Sequence, residues 1–94
     1  MTEATDLMDI CETVSDEASF IEFLEHLRSD FLDSRDKEAR KPSSPYTADA
    51  NGWENTTIDA FLEASVAWAN DTQDSTINPW EKAAKIILAG KVYE

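Results

Sequence analysis

"NPWEKAAKIILAGKVYE", residues 78–94, decides the fold because it reads as a helix with both ends specified. Asn78 suits the capping position, and Pro79 suits the first helical position, where its missing N–H is one the helix leaves unpaired anyway. Gly90 reads as the stop. Between them Trp80, Ala83, Ala84, Ile87 and Leu88 recur at helical spacing and are expected to face inward, with the two alanines allowing close approach by another helix. Glu81 and Lys85 form a favourable exposed pair one turn apart.

Working back toward the N-terminus, "WENTTIDAFLEASVAWAND" (53–71) predicts a third helix capped by Asn55 or Thr56. Its buried stripe would be Ile58, Phe61, Leu62, Ser65 and Trp68, with Trp53 folding back onto the first turn, and "DTQDSTI" (71–77) would turn into the last helix. The stretch "SRDKEARKPSSPYTADANG" (34–52) loses the periodicity and holds two prolines, which predicts a long loop over about 35–52 with a mobile centre. Such a loop is either an expendable insertion or a partner-contacting segment.

Before it, Ser15 or Asp16 can cap a helix over 17–34 that buries Phe20, Ile21, Phe23, Leu24, Leu27 and Phe31. Glu22, Glu25, Ser29 and Asp33 follow its outer face. Leu7, Ile10, Cys11 and Val14 recur at i, i+3, i+4 and i+7, one apolar face of a short first helix over 4–14, leaving Asp9, Glu12 and Asp16 on other faces. The expectation is a compact all-α bundle of about four helices forming a single domain over 1–94.

Ninety-four residues support one modest core rather than a core with a deep pocket attached. The single Cys11 cannot form an internal disulfide, and in an apolar pattern it reads as a small buried hydrophobe in a reducing compartment. No apolar run approaches the ~20 residues needed to span a bilayer, and the start "MTEATDLMDI" is acidic where a signal peptide would be basic. The expected location is cytoplasmic.

The net charge is −12, and it is unevenly placed: −9 over residues 1–34, +2 over 35–41, −6 over 42–78 and +1 over 79–94. Nucleic acid and anionic membranes are poor partners for such a chain, because phosphate binding needs Lys and Arg. A basic protein is a compatible partner, and a bare solubility effect is equally so.

Catalytic patterns are weak. His26 stands with Glu22 and Asp30 four residues to either side, a spacing that could present three ligands, but one helix face without convergent ligands reads as a solvated surface. Cys11 has His26 as its one possible base and no Gly-rich oxyanion loop. Asp71 and Asp74 share a turn that lacks the Gly and terminal Glu of a calcium loop. No catalytic residue, metal ligand or cofactor is assigned, and the chain does not read as an enzyme. Trp68 and Trp80 lie on apolar stripes and read as core; Tyr46 and Trp53, beside the loop, are expected to be partly exposed and available to an interface.

The succession "SFIEFLEHLRSDF", a variable loop, "WEN", "FLEA", an Ala-Trp pair, "NPW" and "ILAGKVYE" resembles a family of small bacterial helical proteins of unknown function, over about residues 14–94 and leaving the first helix outside. In size, charge and class the chain also resembles immunity proteins of polymorphic toxin and contact-dependent growth inhibition systems. That resemblance implies direct binding of a basic, nuclease-like toxin domain. The candidate contact residues are Asp9, Glu12, Asp16, Glu22, Glu25, Asp33, Tyr46 and Trp53. The alternative is a nucleic-acid mimic or housekeeping interaction module.

Overall fold

The computed structural model describes residues 7–72 and 77–93. They form four helices: α1 (Leu7–Glu12), α2 (Glu17–Arg40), α3 (Ile58–Asp71) and α4 (Pro79–Val92). There is no strand among the described residues, so the all-α expectation holds. Residues 4–6 of the expected first helix and Asp74 lie outside the described residues.

Helix α4 is the spine, packing against α1, α2 and α3, whereas α3, among the described helices, packs against α4 alone. The start of α4 follows the expected design: the Asn78 side chain accepts from the Glu81 N–H at 2.8 Å, and Pro79 takes the first turn. Asn78 also donates to the Val14 carbonyl at 3.2 Å, fastening the end of α1 to the start of α4. Gly90 does not stop the helix, which runs on to Val92. A Cβ at Gly90 would sit 2.6 Å from Ser65 Oγ and 2.7 Å from the Phe61 ring, so the missing side chain lets α3 lie close against α4 here. The Glu81–Lys85 pair forms at 3.2 Å, but half-buried rather than exposed.

Helix α2 starts where expected. Asp16 is its cap, closing a reciprocal capping box in which Ser19 N–H donates to the Asp16 carboxylate at 2.9 Å and Asp16 N–H donates to Ser19 Oγ at 3.1 Å. Its end is a correction: the helix continues six residues past 34, to Arg40. Ion pairs one turn apart, Asp33–Lys37 at 2.9 Å and Asp36–Arg40 at 2.6 Å, take over where the apolar stripe ends, and Lys37 and Arg40 suit the negative end of the helix dipole. The helix stops at Lys41 because a residue preceding proline, here Pro42, is driven out of the helical region.

The loop therefore covers 41–57, and it is tied along α2 rather than left loose. Arg35 pairs with Asp49 at 3.0 Å, Ala50 N–H donates to Glu38 at 2.7 Å, and Asn51 N–H donates to Ser34 Oγ at 3.2 Å. Gly52 supplies the one positive φ among the described residues, +85°, in the turn that Asp49 and Gly52 close. Asn55 does not cap α3. Its side chain donates to the Gly90 and Tyr93 carbonyls, both at 3.0 Å, serving the end of α4, while Thr57 caps α3 by accepting from Ala60 N–H at 3.2 Å.

The core joins Leu7, Cys11 and Val14 to Phe23 and Leu27 of α2, Trp53 of the loop, and Ala84 and Leu88 of α4. Ile21 is half-exposed and Trp80 is 38% exposed, stacked at a tilt on Phe20, so neither is the fully buried anchor that periodicity suggests. Of the stripe expected on α3, Ser65 is buried and Phe61 and Trp68 are partly so, but Ile58 (79%) and Leu62 (52%) are exposed. Among the described helices α3 meets only α4, and Ile58, Leu62 and Val66 on one flank of it stay exposed.

Candidate functional site

Two features stand out from the scaffold: an acidic surface and an open apolar groove. On the acidic surface, Asp9 and Glu12 are exposed on α1, and Glu22 and Glu25 on α2; none of the four makes an ion pair among the described residues. Asp16 and Asp33 are exposed too but already engaged. The Ser19 hydroxyl and N–H hold the Asp16 carboxyl below the usual range, and Lys37, then Asn51, do the same for Asp33. These two acids belong first to the scaffold, with four left available. Tyr46 stands 94% exposed on the loop.

Trp53 is the clearest correction among the candidate residues, because it is 5% exposed. Its ring meets Phe31 edge-on at 4.9 Å and stacks near Phe61 at 6.2 Å. Its indole N–H donates to Asp30 Oδ2 at 2.8 Å, and Lys91 donates to the same oxygen at 2.8 Å while lying 5.5 Å from the ring centre. Asn51 adds bonds to the Asp30 carbonyl (3.0 Å) and to Oδ1 (3.2 Å). Asp30 thus joins α2, the loop and α4, which is how it is used instead of standing with Glu22 and His26. Among the described residues no three His, Cys, Asp or Glu side chains are grouped as a metal site. The signal was present: Asp30 occupies the register of the buried face, between Leu27 and Ser34, where an unpaired carboxylate would be costly.

Cys11 is fully buried, and burial pushes its thiol up to about 11, opposed by Lys85 and assisted by Glu81 and Glu12. At neutral pH it is a neutral thiol rather than a nucleophile.

The groove went unread in the sequence. It is an open depression of about 350 Å³ between α2 and the start of α3, with Ile87 of α4 in its floor. Leu24, Leu27 and Phe31 line one side, Ile58 and Phe61 the other, and Arg28 is the one charged residue in the lining. Ile58, Leu62 and Val66 follow at i, i+4 and i+8, so an apolar ridge about 12 Å long runs from the groove along the uncovered flank of α3. No described helix is long and apolar enough to cross a membrane.

No curated protein and no solved structure matches the chain. One family model does, over residues 16–94, beginning at the cap of α2 and leaving out α1, although α1 and the turn after it give Leu7, Cys11 and Val14 to the core. The chain belongs to the Family of unknown function (DUF7660).

Proposed function

We propose that the protein is a non-catalytic binding protein that neutralises a basic protein partner, in the manner of an immunity protein blocking a nuclease-like toxin domain. One observation carries the reading. Among the described residues at least five of the Lys and Arg side chains are held in ion pairs with acids of the same chain, while Asp9, Glu12, Glu22 and Glu25 stand exposed without one. Part of the excess negative charge is therefore presented outward on α1 and the first half of α2. Such a field draws a cationic partner and speeds encounter, and apolar contacts then lengthen the stay.

The test is stopped-flow association with the polypeptide encoded immediately upstream, across a salt series, for the parent and for a Glu22→Lys, Glu25→Lys variant. The parent's rate should fall as salt shortens the ~10 Å screening length of 0.1 M, and the double reversal should slow association sharply. Neither substitution touches an ion pair among the described residues, so the fold should be kept. A rate indifferent to both salt and reversal would assign the acidity to solubility.

A further inference from the structure

We infer that the groove between α2 and α3 receives an amphipathic helix of the partner, apolar on the side that enters and rich in Lys and Arg on its flanks. The inference rests on the basic-partner reading and adds the surface and the shape of what binds there. Helix α3 has the requirement: Ile58, Leu62 and Val66 are 79%, 52% and 59% exposed on a helix that, among the described helices, packs against α4 alone. A helix laid beside it would cover this ridge and at the same time fill the apolar depression against Leu24 and Phe31. It would give α3 the second neighbour that helices in bundles ordinarily have, at the usual 8–10 Å spacing.

Charge selects the kind of helix. Exposed Glu25, Glu54 and Asp59 each stand next in the chain to a residue of the lining, Leu24, Trp53 and Ile58, and residues 42–78 contain no Lys or Arg at all. Flanking bases on the incoming helix would meet acids on both sides. Arg28, exposed in the lining, is left to meet that helix's terminal carbonyls, as bases do at helix C-termini. A second copy of the chain is a poor occupant, because it would set one net charge of −12 against another and oppose acids with acids.

The experiment titrates isotope-labelled protein with three synthetic peptides of about eighteen residues, following backbone amide shifts by NMR; a helix of that length spans the ~12 Å ridge with a margin. The first has Leu at i, i+3, i+4 and i+7 with Lys elsewhere, the second the same composition shuffled to abolish the apolar face, and the third Glu in place of Lys. The first should bind saturably with shifts at Leu24, Phe31, Ile58 and Leu62, the shuffled peptide about ten-fold more weakly, and the acidic one not measurably. Leu62→Ala and Leu62→Asp should each weaken the first peptide about ten-fold, the cost of one lost leucine contact, with an unchanged far-ultraviolet spectrum because Leu62 is half-exposed.

The aspartate variant sets the two effects against each other. Attraction by charge alone would make it bind more tightly, and apolar docking makes it bind less. Tighter binding by that variant, or equal binding of the shuffled peptide with shifts centred on Glu22 and Glu25, overturns the groove and leaves the basic-partner reading standing. Failure of every basic peptide to bind overturns the groove, while the basic-partner reading stands or falls on the association series with the folded partner. Groove shifts that grow with protein concentration alone, with a doubled mass in sedimentation, place a second copy there and overturn the inference.

Discussion

Helices α3 and α4 are both fourteen residues long and both start with a side-chain cap, yet they do opposite things with their apolar residues. Helix α4 buries Ala84, Leu88, Ala89 and Gly90 and touches every other helix. Helix α3, the more apolar of the two, buries Ala64 and Ser65 and leaves Ile58, Leu62 and Val66 in solvent. Apolar content tells that a surface wants covering, not that the fold covers it. In α4 most of the apolar residues stabilise the chain; in α3 three of the five large ones, Ile58, Leu62 and Val66, are left exposed.

The largest expected effect lies on the α4 side of the comparison. Leu88→Ala, at a position 8% exposed in the core, should lower stability by about 2–5 kcal/mol in urea unfolding, the usual cost of emptying a buried site. A midpoint equal to the parent's would show that α4 is not the spine.

Next comes the seam where the two helices meet. Gly90→Ala would gain about 1 kcal/mol from helix propensity at an exposed site. Here the new methyl would collide with Ser65 and Phe61, so the expected outcome is a net loss, as overpacking costs about 1–3 kcal/mol. A thermal midpoint above the parent's would mean that α3 can move away from α4 without penalty.

A smaller effect of opposite sign is expected across the same seam. Ser65 Oγ is buried with no hydrogen-bond partner among the described residues. Ser65→Ala removes an unmet polar group and should stabilise by about 1 kcal/mol, read as a raised urea midpoint. A lowered midpoint would point to a partner for that hydroxyl.

Smallest are the effects of the carboxylates near the end of α2. Glu38 is held below the usual carboxylate range by the Ser43 hydroxyl, the Ser43 N–H and the Ala50 N–H, as Asp33 is by Lys37 and Asn51. A carboxyl whose folded pKa is depressed contributes stability that is fully present above its unfolded pKa and is lost as pH falls through the folded one. Thermal midpoints followed downward from neutral pH should therefore drop below the ordinary carboxylate range, and Glu38→Gln should make that drop shallower. An unchanged acid profile in the variant would show that the loop is not tied to α2 through Glu38.

The parts of this fold that were legible in the sequence are those settled within a turn or two of chain. Asp16 caps α2 and Asn78 with Pro79 starts α4 because each partner lies three residues away. The end of α2 was misread because its last turns are held by ion pairs rather than by an apolar period, and Pro42, the real stop, was on the page. Trp53 was read as available for an interface because its partner, Asp30, is 23 residues distant. Asn55 was assigned to the nearer helix end, α3, whereas it serves the far end of α4, 35 residues on. The groove was invisible for the same reason: which flank of α3 is covered depends on which helices it meets, and periodicity carries no information about that. The acidic face needed no tertiary knowledge, since Glu22 and Glu25 stand on the face of α2 opposite Phe23 and Leu27 by spacing alone.

If the ridge on α3 is held for something other than the fold, the fold should survive its replacement. Ile58→Ser, Leu62→Ser and Val66→Ser together remove the ridge while leaving Phe61, Ala64, Ser65 and Trp68 in place against α4. Measured by urea unfolding with helical content checked by circular dichroism, the triple variant should keep its helices and lie within about 1–2 kcal/mol of the parent, the small cost of serine's lower helix propensity at the Leu site and of lost partial burial. A loss of several kcal/mol, or collapse of the helical signal, would mean that the protein itself covers this ridge, and the claim would fail.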